Sequence, residues 1–251
     1  MVVTLCFIEA LWPAFDNNPD RKRRWSINFG LGILDLLIVS SVPAMTVLSA
    51  VWAQQRGIGL LNLVACPAWL AIFVVLLVRS FAQYAFHRCV HAVPLLWRVH
   101  RVHHCDVHLD ASSAFRFHPF EAIATVVFAI PFVVVFGLPP VILAAYETVQ
   151  LVMSLLTHAN VRLPERAERA ARLVLMTPAL HRFHHSAEQG ECDRNYGDVF
   201  SLWDRLFGTF LPVDAGVRGP AKFGLDEVNA ADANDFDAQL TLPWRSKREA
   251  A

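Results

Sequence analysis

Two pentapeptides carry the same histidine spacing, HRVHH at residues 100–104 and HRFHH at residues 181–185. An HxxxH pair, His87 and His91, precedes the first, while His118 in RFHPFE and His158 in THANV fall between the two. Neutral imidazole is the commonest metal-binding side chain. Several imidazoles converging on one point repel each other when protonated but hold a divalent metal firmly. Residues three and four apart share a helix face. His87 and His91 therefore point one way, His100, His103 and His104 form one triangle, and His181, His184 and His185 form another. Such a set is too large for one ion, whereas two ions sharing it would take about four or five nitrogens each and leave room for an exogenous ligand. All-nitrogen sites suit iron, copper, zinc or nickel, and spacing does not choose among them. His108 stands outside the pattern and reads as an interfacial or hydrogen-bonded residue.

Metal-bound imidazoles commonly pass their second ring N–H to a carboxylate. Asp106, Asp110 and Glu121 follow the first histidine cluster and Asp198 and Asp204 the second, which makes them the candidates for that role. Tyr196 and Trp203 read as packing residues.

The elements that must position these residues are apolar. Of the 251 residues, 55% are hydrophobic and 18% charged, below the roughly 25% of an ordinary soluble domain. Mean hydropathy is +0.39. Four segments approach the length of about 20 residues that a bilayer crossing requires: Ser26 to Ala53, a run ending at Val78, Pro119 to Gly137, and Pro139 to Thr157. Four crossings put the N-terminal region, the middle loop and the C-terminal third on one side. Of the 22 Lys and Arg, only Arg56 falls in a loop on the far side, so the histidine-bearing side is expected to be cytoplasmic. The first apolar run precedes the basic cluster RKRR, the reverse of a cleaved signal, and insertion is expected through internal spans. Asp35 and Glu147 interrupt the spans, and ionisable groups there are costly.

Basic and acidic residues cancel at 22 each, which gives no reason to expect a nucleic-acid partner. The five cysteines form no CxxC and read as reduced thiols. A histidine-lined metal transporter would place ligands at mid-span, and a zinc hydrolase would carry a motif such as HExxH. Neither pattern occurs, and these remain the alternative readings.

Taken in order, FHRCVH, WRVHRVHH, DASSAFRFHPFE, THANV, HRFHH and NYGDVFSLWDRLFGTF resemble the fatty acid hydroxylase and sterol desaturase superfamily of membrane-bound di-iron enzymes, over residues 26–212. The resemblance implies an all-α membrane protein of about four transmembrane helices with a cytoplasmic helical cap carrying a histidine-ligated di-metal centre. Residues 1–25 would form an N-terminal interfacial segment and residues 213–251 a polar tail packing on the cap or partly mobile. The implied cofactors are two iron ions, with O2 as co-substrate, and the implied reaction is hydroxylation or desaturation of an unactivated C–H position of a lipid. By this resemblance the metal ligands are His87, His91, His100, His103, His104, His158, His181, His184 and His185, with His118 either a further ligand or a group supporting one. The chain carries no haem, flavin or iron–sulfur motif, so an external cytochrome or ferredoxin with its reductase is the expected electron donor.

Overall fold

Prolines and glycines set where the apolar helices begin and end. The computed structural model describes residues 1–16, 20–39, 42–214 and 217–245, and among them regular structure is helical, with only isolated backbone bridges besides. Helix α1 (Val2–Leu11) is followed by α2 (Arg21–Val39) and α3 (Val42–Gln55). The first expected span, Ser26 to Ala53, falls on α2 and α3, and its residues 40 and 41 lie outside the described residues.

After the single turn of α4 (Leu60–Leu63), Pro67 caps α5 (Ala68–Ala92). The second expected span therefore starts later than its apolar run suggests and continues past Val78 to carry His87 and His91. Val93 and Pro94 separate α5 from α6 (Pro94–His104), and a 3-10 turn (Ala111–Phe115) leads to α7 (Pro119–Phe136) and α8 (Pro140–His158). The turn of this hairpin is fixed by Gly137, whose left-handed backbone (φ 62°, ψ 46°) ends α7. Gly59 packs against that turn so closely that a Cβ would stand 2.4 Å from the Gly137 nitrogen, which only glycine permits.

Among the described residues three helices, α5, α7 and α8, are long and apolar enough to cross a membrane, with mean hydropathies of 1.7, 2.2 and 1.4. Helix α7 packs on α3 and α5, and the shared core includes Ala50, Val75, Val133, Leu138 and Leu143. Large apolar side chains such as Trp69, Val127 and Val141 remain exposed on the outer faces, as expected of helices solvated by lipid. Glu147 is satisfied inside the bundle, accepting a hydrogen bond from Thr46 Oγ1 at 2.6 Å and facing Arg79 at 3.6 Å. Arg79 lies within α5, whereas the sequence reading grouped it with the loop cations.

The remaining helices are short: α9 (Glu165–Ala171), α10 (Pro178–His184), α11 (Gln189–Cys192), α12 (Leu202–Leu206), α13 (Ala230–Ala233) and α14 (Phe236–Thr241), closed by a 3-10 turn (Leu242–Trp244). Val228, Ala233 and Leu242 from the last stretch join Ile27, Leu31 and Val102 in a second core, which fixes α6 against α2.

Candidate metal centre

Nine histidines converge from four helices at one end of the bundle. The last turns of α5 supply His87 and His91, α6 supplies His100, His103 and His104, the end of α8 supplies His158, and α10 with its cap residue supplies His181, His184 and His185. Their ring nitrogens fall into two groups. His87, His91, His100, His104 and His184 form one and His103, His158, His181 and His185 the other, with the ligand atoms in each group within 4.8 Å of one another.

Hydrogen bonds fix which nitrogen carries the proton in six of the nine rings. The Nδ1–H groups of His87, His184, His103 and His158 donate to the backbone carbonyls of Tyr196 (2.8 Å), Arg194 (2.9 Å), Arg116 (3.1 Å) and Ser154 (2.7 Å). Those of His100 and His91 face carboxylates, Glu121 Oε1 at 2.6 Å and Asp193 Oδ1 at 3.2 Å. A carbonyl can only accept, so the Nε2 atoms of these rings are lone pairs. The Nε2 atoms of His87, His91 and His184 are buried without a hydrogen-bond partner. In the other group His103 Nε2 and His158 Nε2 stand 3.1 Å apart with no proton to place between them. Lone pairs so arranged are costly unless a cation sits among them. Imidazole nitrogens bind such ions at about 2.0–2.1 Å, which spaces neighbouring nitrogens about 3.0–3.4 Å apart around the ion. The spacings of 3.1 Å for His181–His158 and 3.2 Å for His185–His181 match that, so the residues fit two metal ions.

Electrostatics agree. Burial first, and repulsion by neighbouring imidazoles second, hold His103, His104, His181 and His185 well below the ordinary histidine value. Burial takes His184 down to about 3. The rings are thus neutral at physiological pH, the form that binds metal.

The structure places His118 elsewhere. Its Nδ1 accepts from Phe120 N as the N-cap of α7 and its Nε2 faces the Leu240 carbonyl at 3.2 Å, so both nitrogens are engaged outside the two groups. Nor do Asp106 and Asp110 reach an imidazole. The fully buried Arg24 takes both, at 2.5 and 2.8 Å, with Asn28, Ser112 and Ser113 completing the network. Asp198 is bonded by Gln150, and burial raises its carboxyl to about 6. Asp204 accepts the Tyr196 and Gly197 amides at 2.8 Å and so supports the loop whose Tyr196 carbonyl receives the proton of His87.

Asp193, which does face an imidazole, was not among the expected carboxylates, and the signal for it is weak, a partner 102 residues from its histidine. Trp97 was missed as well. Its ring lies 5.1 and 5.4 Å from those of His91 and His104 and covers the five-histidine group, and its place one turn before His100 and two before His104 was the available clue.

Residues 72–209, more than half of the chain and including all nine clustered histidines, match the sequence profile of the family described as fatty acid hydroxylase. The chain belongs to the fatty acid hydroxylase family. Among relatives, it is 28% identical to the ornithine lipid hydroxylase OlsE of Rhizobium tropici over 82% of this chain and 56% of that protein. It is 31% identical to alkylglycerol monooxygenase of Danio rerio over 57% of this chain and 30% of that protein. A fatty acid hydroxylase, vlmA, of a Lecanicillium species is 28% identical over 69% of this chain and 51% of its own length. The chain thus spans about half the length of the first of these family members and under a third of the second. No solved structure matches it.

Proposed function

We propose that the chain is a membrane-bound non-haem di-iron monooxygenase that uses O2 and two external electrons to hydroxylate, or desaturate, an unactivated C–H position of a lipid. The observation that carries this reading is the pair of all-imidazole groups, with Nδ1 protons tied back and Nε2 lone pairs facing inward. His87, His91, His100, His104 and His184 would hold one ion and His103, His158, His181 and His185 the other. Bound iron would supply oxygen activation and the oxidant for hydrogen removal from carbon. The chain's own residues prepare that centre. Glu121 and the carbonyls of Tyr196, Arg116, Ser154 and Arg194 hold the rings in one tautomer and orientation, and burial keeps the imidazoles unprotonated and water away.

The family relationship supports a lipid substrate, since the relatives are named as lipid, alkylglycerol and fatty acid oxygenases. Helices α5, α7 and α8 would anchor the chain in the bilayer, with the histidine end on the cytoplasmic side as the distribution of Lys and Arg indicates. Electrons would come from a separate cytochrome or ferredoxin with its reductase. The test is metal analysis of anaerobically purified protein, together with lipid profiles of cells with and without it. Iron filling both groups, and one oxidised lipid lost in His103→Ala, is the expected result; a metal-free protein with an unchanged lipid profile overturns the proposal.

A further inference from the structure

Two cavities meet on the outer face of α6, and Arg98 is the residue that lines both. One, of about 530 Å³, has a mixed lining that includes His91, Trp97, Gln189, Asp193 and Asp226. The other, of about 250 Å³, is apolar, with Phe86, Val90, Leu96, Val99 and Ala124 as walls. Leu95, Phe120 and Trp244 line its mouth and are exposed at 72, 53 and 63%. That mouth lies where α5 ends and α7 begins, the level at which two membrane-competent helices emerge, and an exposed tryptophan suits that interface. None of the nine clustered histidines lines the apolar cavity, although Glu121 of its lining is bonded to His100.

We infer that this apolar cavity is a second lipid site, taking a single-chain amphiphile with an anionic head from the bilayer, its chain inside and its head on Arg98. The volume suits one chain: it equals about eight waters at about 30 Å³ each, or a comparable run of methylenes, and not the two chains of a diacyl lipid. Arg98 is exposed and makes no ion pair with a described residue, leaving its guanidinium for a carboxylate or phosphate at the seam between the cavities. Orientation follows from Glu121, which also lines the apolar cavity and is already the acceptor for His100. An anionic head is repelled from that carboxyl, so the chain end enters and the head stays outside.

The probe is a dodecanoate carrying a mid-chain diazirine, irradiated with the intact protein in phosphatidylcholine nanodiscs and mapped by mass spectrometry. Adducts are expected within residues 86–99 and at Pro243 and Trp244. Unlabelled dodecanoate should displace them, dodecanol at the same concentration should not, and Arg98→Gln should weaken the displacement about tenfold while Arg98→Lys restores much of it. Ala124→Phe should abolish these adducts by filling the cavity. Leu96→Trp serves the same purpose should the first variant fail to fold. Equal competition by dodecanol, indifference to Arg98→Gln, persistence of the adducts in the filled cavity, or labelling spread evenly over the outward helix faces each overturns the inference.

Discussion

In HRVHH the outer pair, His100 and His104, joins the five-histidine group while His103 crosses to the other; in HRFHH the outer pair, His181 and His185, joins the four-histidine group and His184 crosses back. Residues four apart lie nearly in line along a helix, and the residue at i+3 sits to one side of that line. Two helices facing each other with this pattern therefore exchange one ring apiece. Neither motif is a site; each is a half of both. The inequality of five against four arises in the helices that complete them, α5 adding an in-line pair and α8 a single ring. Anchorage differs too. In the larger group four rings pass Nδ1 to an oxygen, whereas in the smaller the Nδ1 atoms of His181 and His185 are buried without a partner.

The sharpest way to break this assignment is to remove the crossing histidine of each motif. His103→Ala leaves its group three imidazoles and His184→Ala leaves its group four. If a four-ligand site is worth about 10–16 kcal/mol, losing one ligand costs several kcal/mol, roughly a hundred- to a thousandfold in metal affinity. Chelator competition and metal analysis should show His103→Ala keeping one ion where His184→Ala keeps nearer two. Equal losses in the two variants would sink the partition described above.

Stability comes next. Arg24→Met strands Asp106 and Asp110 in the interior, and breaking such a buried pair costs about 3 kcal/mol or more, measurable by unfolding in detergent. A smaller effect distinguishes the two carboxylates of the five-histidine group. Glu121 is buried at 2.6 Å from its imidazole, while the Asp193 side chain is 41% exposed at 3.2 Å. Glu121→Gln should weaken metal binding about 10- to 100-fold, and Asp193→Asn no more than about threefold.

The smallest effect belongs to His108, which joins neither histidine group. Burial, with Arg24 nearby, lowers His108 to about 4. The unfolded chain, titrating near about 6.5, takes the proton first as pH falls, so the stability His108 contributes is complete above that value and is lost between about 6.5 and about 4. His108→Asn should flatten that part of the unfolding midpoint against pH; an unchanged slope rules this out.

Much of the centre could be read from spacing, because i, i+3 and i+4 relations are local and survive any packing. All nine converging histidines stand at positions the motifs marked. The exchange of rings between motifs could not be read, since it depends on α6 and α10 meeting from opposite sides. His118 shows the limit of a motif: in RFHPFE the same side chain that resembles a ligand caps the helix that Pro119 begins. Of the two carboxylate partners, Glu121, 21 residues from its histidine, was among the candidates the sequence offered, whereas Asp193, 102 residues from its own, was not. Apolar runs gave the later spans in outline, while Pro67 moved the start of α5.

The helix bearing the first HxxHH motif is held by residues made long after it. Arg101 donates to the carbonyls of Leu242 and Arg245, 141 and 144 residues further on, Cys105 contacts Gln239, and Arg116 donates to the Ala233 carbonyl. During translation these contacts form only once the segment around residues 233–245 has emerged and folded back. The packing around α6 is thus completed late in the life of the nascent chain, after Glu121 and the Arg116 carbonyl, the partners of its rings, have already been made.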